Sequence, residues 1–163
     1  MTDRPNLYLL RAADIAARSQ TFSHPWNPQS EITGYQLAKA TGLKRLGVNF
    51  ARIAPGKESF VYHAHWCEEE WIYILSGRGI ARIDDAEYEV GPGDFMAFPT
   101  PGVAHHLRNP FDEELVYLIG GEQREIDIAD FPDFGKRMFR HPKGVEIFDL
   151  KDARAFGPLD EDY

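Results

Sequence analysis

Along the middle of the chain, apolar and polar residues alternate in short runs broken by turn residues. The runs are LGVNFARI (Leu46 to Ile53, ending at APG), SFVYHAH (Ser59 to His65), EWIYILSG (Glu70 to Gly77) and GIARI (Gly79 to Ile83). EYEV (Glu87 to Val90), FMAFP (Phe95 to Pro99), HHLRN (His105 to Asn109) and ELVYLIG (Glu114 to Gly120) follow. No helical period runs between them, so the series predicts short antiparallel strands of a sandwich or barrel. VGPGD (Val90 to Asp94) reads as a tight turn, and ARIDDAEYEV reads as a hairpin with Asp84 and Asp85 at its tip. The flanks are plainer. ADIAARSQ predicts one or two helical turns, TFSHPWNPQSE an irregular arm, EQREIDIADFPDFGKRMFR a short helix followed by a loop, and VEIFDL a last strand.

The strands are greasy on both faces. In EWIYILS, Ile72, Ile74 and Ser76 share a face with Glu70, while Trp71, Tyr73 and Leu75 occupy the other. Phe60, Tyr62 and Ala64, opposite the histidines of SFVYHAH, are largely apolar as well. A strand with one solvated face should alternate apolar with polar. The outer face therefore needs a cover, and a sheet-to-sheet homodimer is the expected one, ahead of the chain's own terminal arms.

Composition narrows the class. The 163 residues suit one domain, read as a barrel core over about 46–120 with an N-terminal arm 1–45 and a C-terminal extension 121–163. With 26 acidic against 18 basic residues the net charge is −8, which argues against nucleic acid as a partner. The single cysteine, Cys67, can form no intramolecular disulfide, and the opening MTDRPNLYLLRAADIAARS lacks a signal peptide's apolar block. No apolar run approaches the length of a membrane span. The expectation is a cytoplasmic protein that acts without a membrane or nucleic acid on a small-molecule ligand.

Chemistry concentrates in HAHWCEEEW, His63 to Trp71. Residues i and i+2 of a strand share a face, so His63 and His65 form a chelating pair, though many such pairs are merely solvated or packed. Three glutamates, Glu68, Glu69 and Glu70, follow at once. The spacing from Gly56 through His63, His65 and Glu70 to Gly77 is G-x6-H-x-H-x4-E-x6-G. Further on, GDFMAFPTPGVAHHLRN carries G-x5-P and then Gly102, His105 and Asn109 as G-x2-H-x3-N.

These two motifs, in this order and with a short gap, resemble those of the cupins, and in particular small single-domain members likened to sugar-phosphate isomerases. Two turns depart from the family pattern: six residues rather than five separate Gly56 from His63, and Pro99-Thr100-Pro101-Gly102 has one residue too many. The resemblance implies an all-β fold, the double-stranded β-helix or jelly-roll barrel, with short terminal extensions. It implies His63, His65, Glu70 and His105 as ligands of one divalent metal ion. Glu69 fits a shorter variant of the motif but breaks the register to Gly77, and Glu68 is expected to be solvated.

Other groups read more blandly. His106 alternates away from the cavity, Asn109 is structural, and His24 and His141 lie in irregular segments without partner spacing. Cys67 is a packed or partly exposed thiol. Three imidazoles and a carboxylate suit a metal of intermediate softness, Zn, Mn, Fe or Ni, and sequence does not choose among them. Tetrahedral zinc would be filled by the four ligands, whereas an octahedral ion keeps two open positions.

The resemblance implies an isomerase- or epimerase-like enzyme whose metal chelates substrate oxygens and stabilises an enediolate-like anion while a base moves a proton. That base has no candidate, since Tyr62 and Tyr73 alternate away from the ligands. Arg52, Lys57, Arg82 and Arg108 are the candidate contacts for a substrate phosphate. An Fe(II)-dependent dioxygenase and a non-catalytic ligand-binding protein are the alternatives, because fold analogy does not fix a reaction.

Overall fold

The computed structural model describes residues 7–154 and 157. In chain order the elements are α1 (Ala12–Arg18), β1 (Gln20–Phe22), β2 (Ile32–Gln36), α2 (Leu37–Thr41), β3 (Leu46–Ile53), β4 (Ala64–His65) and β5 (Glu70–Ser76). Then come β6 (Gly79–Ile83), β7 (Ala86–Val90), β8 (Phe95–Phe98), β9 (His105–Arg108), β10 (Leu115–Glu122), β11 (Asp127–Phe131), β12 (Lys136–His141) and β13 (Gly144–Asp149). The fold is mostly β, as the alternation predicts. The hairpin β6–β7 turns at Asp84 and Asp85, with Asp84 in the left-handed region at φ 48°.

One layer is a six-stranded sheet in the order β1-β2-β3-β10-β5-β8. The other is built from β13-β12-β11-β4 and β7-β6-β9. An antiparallel bridge joins the second layer's two parts: His63 N–H donates to His105 O at 3.2 Å, and His105 N–H donates back to His63 O at 2.8 Å. Between the layers, Ile53, Ile74 and Leu115 are fully buried and pack with Leu107, Phe98 and Val90. Each such side chain contributes about 1.5–3 kcal/mol by leaving water. Outside, Tyr73, Leu75 and Phe95 remain 40%, 41% and 61% exposed, so the outer face of β5 and β8 is apolar and uncovered.

The segment 122–140 differs from the predicted helix and loop: it forms β11 and β12, paired along their length. The alternation there is disguised because one inward position, Asp127, is a carboxylate, fully buried in line with Ala129 and Phe131. The SFVYHAH run is strand only at Ala64–His65, and β2 and α2 form where no element is anticipated.

Two glycines set close approaches. Gly77 turns with φ 74°, and a Cβ there would sit 2.1 Å from Glu114 O. Gly121 stands opposite Glu70 in the β10–β5 ladder, where a Cβ would come within 2.4 Å of Glu69 O and 3.0 Å of the Glu70 side chain. Close to the Gly77 turn, Asn109 is buried. Its Nδ2 donates to Ile53 O at 2.9 Å and to Glu113 O at 2.8 Å, and its Oδ1 accepts from Phe111 N–H at 3.1 Å. Asn109→Leu leaves those buried carbonyls without donors, at a cost of roughly 2–4 kcal/mol. By calorimetry the melting temperature should fall by roughly 5–10 °C; a shift below about 2 °C would contradict this account.

Candidate metal centre

The bridge between His63 and His105 sets their rings side by side, with centroids 4.7 Å apart. His65 lies two residues on, and Glu70 enters from the first position of β5 in the opposite layer. The Nε2 atoms of His63, His65 and His105 lie 3.8, 3.4 and 3.2 Å from the same oxygen, Glu70 Oε2. Ligand atoms of His63, Glu70 and His105 all fall within 4.8 Å of one another.

Every ring is held by its far nitrogen. His63 Nδ1 donates to Val61 O at 2.8 Å, His105 Nδ1 to Val103 O at 3.2 Å, and His65 Nδ1 to Asp127 Oδ2 at 2.6 Å. A neutral imidazole that donates from Nδ1 presents a lone pair at Nε2, which is what a metal ion requires. Phe98 stacks flat on His105 at 3.6 Å and further fixes that ring. Glu70 Oε2 and His105 Nε2 are both buried and make no hydrogen bond. Orphaned polar atoms at such a depth are costly, and a shared cation would satisfy them. The N3O donor set and its buried, unpartnered atoms therefore fit a divalent ion of intermediate softness.

Electrostatics favour the same arrangement. Burial opposes ionisation of Glu70, but protons presented by His105 and His63 and the positive charge of His65 would outweigh it and hold the carboxyl well below the usual carboxylate range. A shared cation takes over that role when the Nε2 atoms are bare. Burial lowers the His105 pKa. For His65 burial acts in the same sense, yet the Asp127 hydrogen bond and the Glu70 charge prevail and raise its pKa.

Asp127 also accepts from Cys67 N–H at 3.3 Å, so one buried carboxylate holds both the His65 ring and the start of the acidic turn. Glu68 is not solvated. It is 6% exposed, accepts from Arg124 N–H, and pairs with the Arg140 guanidinium. Its place between the two layers and its two donors explain the difference. Cys67 is free and half-buried.

The site opens on a cavity of about 580 Å³ walled mainly by apolar side chains. None of the four anticipated phosphate contacts lines it. Each is paired with a carboxylate elsewhere: Arg52 with Glu114, Lys57 with Glu31, Arg82 with Asp133 and Arg108 with Glu87. Among the described residues the cavity's one Lys or Arg is Arg140, on β12. Tyr62 donates to Asp84 O and Tyr73 is exposed, both away from the cluster, and His106 turns toward Glu58 at 3.6 Å. Tyr117 and His24 line the cavity, and nothing in their local spacing signals it. The Tyr117 phenol is buried, which pushes its pKa up. Burial, then the nearby His63, lowers that of His24.

A family model described as the cupin domain matches residues 49–120. A crystal structure from Acidithiobacillus ferrooxidans, provisionally named a sugar phosphate isomerase, is 35% identical over 92% of this chain and 97% of its own, with a TM-score of 0.88. A sugar phosphate isomerase of the cupin superfamily from Silicibacter pomeroyi superposes with a TM-score of 0.74 at 23% identity, over 85% of this chain and 90% of that one. A polyketide cyclase from Streptomyces resistomycificus shares the fold at 21% identity and a TM-score of 0.58, over 75% of this chain and 80% of that one. An uncharacterized protein of Methanocaldococcus jannaschii is 37% identical over 57 residues, 35% of this chain, and the match spans 45% of that protein's length.

The geometry predicts about one divalent ion per chain, lost in His105→Ala and bound at least tenfold more weakly in Asp127→Asn, by elemental analysis and chelator competition. Protons compete for the same lone pairs, so affinity should fall as pH drops through the imidazole range, roughly 7 to 5.5. The raised pKa of His65 starts that loss at the upper end of the window. A pH-independent affinity would argue against imidazole ligation.

Proposed function

The chain belongs to the cupin family, and from that premise we propose that it is a metal-dependent enzyme isomerising a small polyhydroxylated metabolite, with a phosphorylated sugar as the first candidate. The observation that supports this most directly is the convergence of three Nε2 lone pairs on the unpartnered carboxylate of Glu70, at the wall of a cavity. The provisional name of the 35% identical Acidithiobacillus protein points the same way. A divalent ion held by His63, His65, Glu70 and His105 supplies Lewis-acid polarisation of substrate oxygens.

The chain's own residues do the rest. Asp127 orients His65 and keeps its proton on Nδ1. Phe98 and Phe131 exclude water beside the His105 and His63 rings. Arg140 is the cation available to an anionic substrate group, and reaching it requires exchange with Glu68.

Protein loaded in turn with Mn(II), Fe(II), Zn(II) and Ni(II) tests the reading against glucose 6-phosphate and ribose 5-phosphate in deuterated water. Aldose–ketose conversion with deuterium entering the product is the expected outcome. Oxygen uptake dependent on Fe(II) would instead indicate a dioxygenase, and tight retention without turnover a binding protein.

We also propose a homodimer in which a second copy covers Tyr73, Leu75 and Phe95, a face too apolar to stay wetted. Light scattering at micromolar concentration should give twice the chain mass, and Phe95→Glu should halve it. A cytoplasmic location accords with the lone cysteine; no described helix is long and apolar enough to cross a membrane.

A further inference from the structure

A fourth imidazole lines the cavity without belonging to the cluster. His24 comes from the N-terminal segment, on a turn knitted to the barrel. Its N–H donates to Ser30 Oγ at 3.0 Å and its carbonyl accepts from Asn27 N–H at 3.1 Å. Asn27 Nδ2 in turn reaches Glu58 Oε2 at 2.9 Å and Phe60 O at 2.8 Å. Three rings enclose the imidazole: Trp26, Phe60 and Phe131, with centroids at 5.1, 5.9 and 6.4 Å. Phe131 also stacks on His63 at 6.3 Å, so one aromatic side chain borders both His24 and the cluster.

The tautomer is fixed. His24 Nδ1 accepts from Trp26 N–H at 3.2 Å, so the neutral ring carries its proton on Nε2. That Nε2 has no partner among the described residues. It is the reverse of the cluster histidines, whose protons sit on Nδ1 and whose Nε2 atoms are bare. The cavity thus offers metal-accepting imidazoles at one place and a hydrogen-bond-donating imidazole at another.

We infer that His24 belongs to the substrate site, where its Nε2–H donates to an oxygen of a polyhydroxylated chain whose other end chelates the metal held by His63, His65, Glu70 and His105. This rests on the metal-centre reading and deepens it. The ligand class is then a metal-chelating polyol, which carries oxygens both for the metal and for the His24 donor. The N-terminal segment becomes part of the recognition surface.

Two substitutions separate recognition from packing. His24→Asn keeps an acceptor at the Nδ1 position for Trp26 N–H but removes the outer donor. His24→Gln places an amide N–H at the Nε2 position. Calorimetry of the full chain loaded with Mn(II), titrated with gluconate, gives the readout, with melting temperature and metal content measured alongside. His24→Asn should bind gluconate about tenfold more weakly than the parent, the loss of one hydrogen bond, while His24→Gln stays within about threefold. Metal content should be unchanged in both, and His24→Asn, which keeps the Trp26 contact, should melt within about 2 °C of the parent. Equal binding by His24→Asn and the parent, equal weakening of both variants, or no binding of gluconate by the loaded parent would overturn the inference. Sugar-phosphate turnover by the parent is scored separately: its absence would remove the isomerase reading and leave the gluconate titration to decide the role of His24.

Discussion

A carboxylate buried without a hydrogen-bond donor is normally protonated or driven to the surface. Glu70 is neither: one of its oxygens lies 3.2 to 3.8 Å from three imidazole Nε2 atoms, a set of electron-pair donors that a cation held in common would satisfy. Much of the fold serves that arrangement. The first layer delivers Glu70 at the start of β5, and the second delivers the histidines, two of them through the bridge that joins its parts. Moving the layers apart would leave the carboxylate uncompensated, so the packing of the core and the geometry of the centre stand together.

The histidine anchors extend this coupling to the end of the chain. Two rings are held by carbonyls two residues upstream, which is local and follows from the turn. The third is held by Asp127, 62 residues away on β11. Glu68 and Arg140 add a second tie between the acidic turn and β12. The C-terminal strands therefore complete the centre electrostatically rather than merely covering it, and the turn carrying His24 closes on it from the N-terminal side.

What could be read from the sequence follows this division. Short alternating runs and the spacing of His63, His65, Glu70 and His105 are local patterns, so the β fold and the grouping of these side chains were legible. Asp127 was hidden because a buried charge at an inward strand position mimics a solvent-facing one, and β11 vanished with it. Glu68 read as solvated for the same reason, since its partners Arg124 and Arg140 lie more than 50 residues away. Arg52, Lys57, Arg82 and Arg108 were close in sequence to the motifs, yet each meets a carboxylate outside the cavity. Proximity along the chain did not decide which cation reaches it.

Gly121 carries a consequence beyond its ladder. It binds nothing and contributes no charge, yet it lies against the backbone of Glu69 and the side chain of Glu70 with no room for a methyl group. Over generations this chain can lose its chemistry at a position that a search for reactive side chains would pass over. Homologues that retain every histidine but have a bulkier residue there would be relics, keeping the barrel while the carboxylate is pushed out of reach.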